Sequence, residues 1–580
     1  MPQKWYYPKM SATALIDSAK LRKSLEANLV KKQLTAIAAA AALALTMTAC
    51  GSGSDSGSAE GKTNANAVIV GNDSEPQNPL VPANTNETGG GLILDHIFSG
   101  LEYYDAKGNP QMEVAESIKS DDNQNWTIKI KGDTKFSDGT PVTSKSFVDA
   151  WNQAVKHNML NASFFESIQG YDEALKAAED ATAADPKNGT GTVDMTGLNV
   201  VDDTTFTVAL NQPESDFPLR LGYSAFYPMP EAGIGDPEKV KAYGENPITN
   251  GPYLVKKDSW KHNEQIELIP NPDYKGDRKP KNGGVTFKFY STQDAAMSDL
   301  QSGSLDVLDA IPDSAFGTYQ DELGDRSVND PSAIFQSFTF PKSDDRFQGE
   351  AGALRMQAIS MAIDRDEICK TIFQGTRTPA VDFIAPVIPG HNPSVKGNEV
   401  LKFNPKKAKE LWKQADAIQP WTGDFELAYN SDGGHQAWVD ATANSIKNTL
   451  GIEAKGAPYP DFKSIRDEVT KHTIKTAFRT GWQADYPSPY NFLGPLYRTG
   501  GSANDGEYSN PEFDKLLAQA LNTSDQKEAF KIYDQAQEIL MKQLPAIPLW
   551  YSNVNGGWAE GVQGVQFDWH SKPLYFYITK

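Results

Sequence analysis

Residues 474–478 form a short run rich in β-branched and aromatic side chains and read as a strand. The adjoining stretch, Arg479-Thr480-Gly481-Trp482-Gln483-Ala484-Asp485-Tyr486-Pro487, limits what that strand can become. Gly481 withholds a side chain where another backbone can approach. Trp482 offers a flat apolar face, and Asp485 sets a carboxylate beside Tyr486. Pro487 and Pro489 then stop any regular ladder. Two readings fit these residues. In one, Trp482 and Tyr486 are ordinary core and Asp485 caps a turn. In the other, the strand end stays open to an extended guest with a free ammonium, whose main chain supplies affinity without its side chains being read.

Length sets the next limit. At 580 residues the chain exceeds one hydrophobic core, so two or three domains are expected. A formal net charge of −20 argues against nucleic acid, whose binding needs a cationic surface. The two cysteines, Cys50 and Cys369, exclude a disulfide framework and a Cys-rich metal site. The seven histidines show no paired metal-ligand spacing, and no phosphate-cradling loop or nucleophile elbow occurs. No catalytic residue, metal or cofactor is assigned.

An apolar run at 34–49 comes after Lys31 and Lys32 and ends in Met47-Thr48-Ala49-Cys50. A basic start, a short hydrophobic stretch and small residues at the cut make a secretory signal. The run falls short of the ~20 residues of a membrane-spanning helix. Cys50 directly after Thr-Ala resembles the lipobox of bacterial lipoproteins, whose cysteine is acylated. Residues 1–49 are thus expected to be signal region, and 50–66 a lipidated Cys50 with a flexible Gly/Ser tether. Trp5, Tyr6 and Tyr7 fit a signal poorly. Translation from Val30, giving Met-Lys-Lys, is expected instead, and precursor peptides spanning Trp5 to Lys20 in a mass spectrum would refute it.

Along the rest of the chain strands and helices alternate, the mark of α/β construction. Residues 67–71 have a buried-strand pattern, 92–98 read as a short helix, and 126–130 alternate as a half-buried strand. Asp138-Gly139 makes a tight turn, and Thr143 or Ser144 caps a helix through Phe147 and Trp151. Residues 200–210 read as a hairpin turning at Asp202-Asp203. Residues 355–365 read as one amphipathic helix, continued by another that carries Cys369 as a small packed hydrophobe.

These segments carry motifs in a fixed order. Phe98-Ser99-Gly100-Leu101 with Asp105 and Gly108 resembles FxGLxxxDxxG. Phe136-Ser137-Asp138-Gly139-Thr140-Pro141-Val142-Thr143 resembles FSDGTPVT, and Asn246-Pro247 with Gly251-Pro252-Tyr253 resembles NPxxxGPY. Gly481-Trp482-Gln483-Ala484-Asp485-Tyr486 resembles GWxADY. Tyr508 to Asp514 resembles YSNPEFD, and Pro545 to Trp550 resembles PxIPLW. Over residues 67–580 the chain resembles the oligopeptide-binding proteins of ABC importers, within the extracytoplasmic solute-binding family 5 that also holds dipeptide, nickel and some sugar receptors.

The resemblance implies an α/β fold of the periplasmic-binding-protein-like type II (flytrap) class, with two lobes and an extra inserted small domain. Lobe I would comprise 67–98, 213–305 and 545–580, the small domain 99–212, and lobe II 306–544. It implies a short peptide held between the lobes, its backbone paired with Asn86-Glu87-Thr88 on one side and Gly481-Trp482-Gln483 on the other. Asp485, beside Tyr486, would meet the ligand's ammonium, and Arg479 stands where some relatives place a cation near its carboxylate. Asp149 occupies the place of a ligand-touching Tyr of relatives, a departure from the pattern at that contact. A monomer is expected, anchored through Cys50 on the outer face of the cell membrane, with the permease and ATPase subunits of an importer as partners. Two alternatives stand beside it: a same-fold receptor for oligosaccharide, nickel chelate or haem, and a surface pheromone sensor or adhesin.

Overall fold

The chain is seen in a computed structural model that describes residues 64–580. The signal region, the Val30 start, Cys50 and all but the end of the tether lie outside the described residues.

Eleven strands build one mixed sheet. Val68–Asp73 lies parallel to Gly284–Phe289 on one edge and to Val307–Leu308 on the other. The strand expected at 67–71 therefore runs two residues further. From Val307–Leu308 the sheet passes to Ala546–Trp558, which pairs antiparallel with the equally long Ser327–Thr339. Their register shifts between Pro331 and Ile334, where proline has no N–H to give. Past the shift, Ser327–Thr339 takes Ala477–Gln483 on its other edge, followed by Phe425–Asn430 and Ala454–Tyr459; Gln265–Pro270 and Tyr253–Val255 extend the far end beyond Gly284–Phe289, and Arg377–Pro379 pairs with Ala546–Trp558.

The strand expected at 474–478 thus begins at Ala477 and runs through Gly481 to Gln483. Ile474 is buried instead in a small core with Ala428, Ile465, Val469 and Phe478. Its apolar character packs a loop rather than starting a ladder.

A four-stranded sheet stands apart from the large one, in the order Ala115–Lys119, Asn125–Ile130, Thr205–Ala209, Leu198–Asp202. Asn125–Ile130 alternates exposed and buried residues as its sequence predicts. Helix Ser144–Lys156 covers this sheet, with Thr143 and Ser146 forming a capping box. Phe147 and Trp151 pack on Phe206 at 5.8 and 5.7 Å between ring centroids. Gly139 turns at φ +87°, closing the Phe136–Thr140 loop before that helix. This second core gathers residues well outside 99–212, from Val81 and Ala83 before it to Phe217 and Tyr243 after it.

The helix expected at 92–98 is Thr88–Ile97. Three successive glycines argue against helix by propensity. Close packing requires one of them, since a Cβ on Gly89 would lie 2.5 Å from the Ser74 carbonyl, and one on Gly90 would crowd the Glu87 carboxylate. The Glu87 side chain caps the helix, accepting from Gly90 N–H at 2.9 Å. The helix expected at 355–365 is also redrawn. It ends at Ala362, and Asp364 caps a second helix, Arg365–Thr371, by accepting from Glu367 N–H at 3.1 Å. Arg365, fully enclosed, holds the carbonyls of Ser360, Leu401 and Pro548 and fixes this break.

Candidate functional site

Phe425–Asn430 pairs with Ala477–Gln483 only at Ala477 and Phe478. Beyond Phe478 that edge carries no further strand pairing among the described residues, while the opposite edge is held by Ser327–Thr339 as far as Gln483. Ala484 N–H donates to the Ala333 carbonyl at 3.0 Å. The alternation of an antiparallel ladder then turns the amide groups of Trp482 inward and those of Gly481 and Gln483 outward. The strand therefore offers main-chain donors and acceptors to a third partner.

Asp485 sits at the end of this strand. Asn491, 1% exposed on the helix Pro489–Tyr497, accepts from the Asp485 N–H at 2.9 Å and donates to its carboxylate at 3.0 Å. The Trp482 indole N–H reaches the same Asn491 oxygen at 3.2 Å. The Tyr223 hydroxyl stands near the carboxylate and favours its ionised form. Burial pushes Asp485 up to about 6, against the Asn491 hydrogen bond, the Tyr223 hydroxyl and the nearby Lys572.

Asp485 faces a cavity of about 1080 Å³. Asn86, Glu87, Thr88, Trp482, Gln483 and Tyr486 line it too, so the segments at 86–88 and 482–486 do meet across one space. The first is not a strand. Glu87 is extended but Thr88 is already helical, because the Glu87 cap starts the helix there. Gly481 is exposed on the open edge and is not among the lining residues. Nor is Arg479, whose guanidinium donates to Asn430 at 2.8 Å and lies 5.0 Å over the Phe462 ring. Its place near a ligand carboxylate is not supported by this arrangement. Asp149 also stands off the cavity and pairs with Lys145 on its own helix.

Sequence reasoning passed over the loop that forms the facing wall. Asp568 accepts from the backbone N–H groups of His570 and Lys572, both at 2.8 Å. His570 must carry its proton on Nε2, which donates to the Ala484 carbonyl at 2.5 Å, and Gln483 donates to the His570 carbonyl at 2.7 Å. The loop is thereby tied to the strand that carries Asp485. Lys572 Nζ pairs with Asp95 at 2.7 Å, both on the cavity wall. Despite burial, that ammonium holds Asp95 below the usual carboxylate range. Burial pushes Asp568 up to about 7 and drives His570 down to about 3. The density of polar residues from Asp568 to Lys572 was the available signal. Asn491 gave one as well, a lone amide amid Tyr490, Phe492 and Leu493.

Comparison with known proteins places this geometry in context. The family model described as bacterial extracellular solute-binding proteins, family 5, middle, matches residues 109–504. The periplasmic oligopeptide-binding protein OppA of Escherichia coli (strain K12) is 27% identical over 469 residues, covering 79% of this chain and 82% of that one. The dipeptide-binding protein DppE of Bacillus subtilis (strain 168) is 27% identical over 505 residues, covering 86% and 88%. The unliganded open form of the murein tripeptide-binding protein MppA superposes with a TM-score of 0.70 at 25% identity, over 89% of this chain and 98% of that one. Haemophilus influenzae OppA in complex with RPPGFSPFR gives 0.72 at 22%, a likeness of fold, over 89% and 99%. The fold is the mixed α/β, type II flytrap fold of these binding proteins.

Proposed function

The chain belongs to the bacterial extracellular solute-binding proteins of family 5, and from that premise we propose that it is a lipid-anchored receptor on the outer face of the cell membrane that captures short peptides between two lobes. It hands them to the permease and ATPase subunits of an ABC importer. The observation that carries this reading is Asp485, a carboxylate on the wall of a large cavity, beside an open strand edge. Among the described residues it has hydrogen bonds but no ion pair. A ligand ammonium completes it, while Gly481 and Gln483 pair with the ligand's main chain. The names of the relatives, peptide-binding proteins among them, support the same class.

In this reading lobe I comprises 67–98, 213–305 and 545–580, the small domain 99–212, and lobe II 306–544. The long strands Ser327–Thr339 and Ala546–Trp558, with their register shift, are the natural hinge for closure. Cys50 carries the anchor, and the receptor works as a monomer.

Native mass spectrometry of freshly purified protein tests the substrate class. A heterogeneous set of co-purifying short peptides supports it. A single sugar, chelate or haem mass would replace peptide with that solute.

A further inference from the structure

We infer that His570 is a positioning residue for ligand recognition: from a distant part of the chain it clamps the peptide group that carries Asp485, and so holds the carboxylate in line for the ligand's ammonium. The inference rests on the peptide reading of the same cavity and deepens it.

The Ala484 carbonyl and the Asp485 N–H belong to one planar peptide unit, so holding both ends holds the plane. The His570 imidazole donates through Nε2 to that carbonyl at 2.5 Å, and Asn491 accepts from that N–H at 2.9 Å. The preceding unit is pinned as well, the Ala484 N–H donating to the Ala333 carbonyl at 3.0 Å. Rotation about the Asp485 N–Cα and side-chain bonds is then the freedom left to the carboxylate. Asn491 limits it by donating to that carboxylate at 3.0 Å.

His570 is itself held firmly. Its backbone N–H donates to Asp568 at 2.8 Å, and its carbonyl accepts from Gln483 at 2.7 Å. The Trp569 ring lies against the imidazole with centroids 3.5 Å apart. The Trp569 carbonyl in turn accepts from the Ala333 N–H at 2.9 Å. Ala333 falls inside the register shift of Ser327–Thr339, so Ala546–Trp558 does not take that N–H and it reaches the loop instead. Burial keeps the imidazole neutral, and its one proton serves the bond to Ala484. Without this donor the buried Ala484 carbonyl loses its partner and the plane is free to tilt.

The test is titration calorimetry with a free tripeptide and its N-acetylated form. The proteins are wild type, His570→Phe, His570→Gln, Asp485→Asn, and His570→Phe combined with Asp485→Asn. His570→Phe keeps a ring against Trp569 but removes the donor, whereas His570→Gln carries an amide N–H close to the place of Nε2. His570→Phe should bind the free tripeptide about tenfold more weakly and change the acetylated form by about twofold at most. His570→Gln should recover to within about threefold of wild type. On the Asp485→Asn background, His570→Phe should cost about twofold at most, a coupling that mere packing does not produce. Equal losses for both peptides, no recovery in His570→Gln, or an undiminished effect on the Asp485→Asn background overturns the positioning role and leaves the peptide receptor intact. If His570→Phe lacks a cooperative thermal transition, His570→Asn, one methylene shorter than His570→Gln, makes the same comparison with the same deciding outcomes. Wild type that binds both peptides equally, or neither, overturns the ammonium reading and the positioning role with it.

Discussion

Asn491 grips Asp485 twice, its amide oxygen accepting the Asp485 N–H at 2.9 Å and its amide nitrogen donating to the Asp485 carboxylate at 3.0 Å. One buried side chain thereby sets both the backbone and the head group of the residue on which the site depends. The same oxygen holds the Trp482 indole, so the aromatic wall and the carboxylate move as one unit.

Replacing Asn491 with Ala should therefore weaken binding of free peptides by ten- to a hundredfold, through loss of orientation and unmet polar groups worth about 1–3 kcal/mol. Binding of N-acetylated peptides should change little. Calorimetry on both ligand sets checks this. An equal loss for both would mean that Asn491 supports only the fold.

The pH dependence has a definite sign. Burial raises unliganded Asp485 to about 6, and a bound ammonium lowers it again, so ligand prefers the ionised form. Affinity should be greatest between about pH 6 and the pH of ~8 at which a peptide's own α-ammonium loses its proton, and fall up to about tenfold per unit below pH 6. Tyr223→Phe removes a hydroxyl that favours the ionised form, so the break should move to higher pH. In the unliganded protein the folded value exceeds the unfolded one. Asp485 therefore costs stability as pH rises from about 4 to 6, and Asp485→Asn should lack that part of the slope. A flat affinity profile between pH 5 and 8 would exclude the role.

Gly481 tests the main-chain pairing. A Cβ there would lie 3.5 Å from the Phe335 carbonyl, an ordinary contact, and its φ is not positive. Nothing inside the described chain requires glycine at that position. Gly481→Val should then leave thermal stability within about 0.5 kcal/mol yet weaken peptide binding by about tenfold through crowding of the open edge. Unchanged affinity would place the ligand's backbone elsewhere.

Glu113 and Arg278 form a buried pair at 2.7 Å, and Arg278 also donates to the carbonyls of Asp95 and Phe98 at the end of the helix behind the cavity. Glu113→Gln leaves the guanidinium without its counter-charge, and a loss of about 3–5 kcal/mol is expected. A chemical denaturation midpoint equal to wild type would contradict it.

Local pattern made much of this molecule legible. The strand at Asn125–Ile130 and the capped helix after Asp138-Gly139 come from alternation, turn chemistry and caps. Residues 482–486 pointed to the cavity because an aromatic, a carboxylate and a strand end coincide there. The misreadings share a cause, which is tertiary packing overriding local preference. Ile474 packs under a sheet instead of entering it, and Gly89 enters a helix because the Ser74 backbone meets it there. Tyr223 was silent because it comes beside Asp485 from a distant part of the chain. No spacing rule joins residue 223 to residue 485.

The most direct measurement compares a free tripeptide with its N-acetylated form by calorimetry, on wild type and on Asp485→Asn. If Asp485 meets the ligand's ammonium, acetylation weakens wild-type binding by a few hundred- to a few thousandfold, equivalent to about 3–5 kcal/mol for a buried charge left unpaired. Asp485→Asn then abolishes most of that difference. Equal wild-type affinity for the two forms would contradict this role.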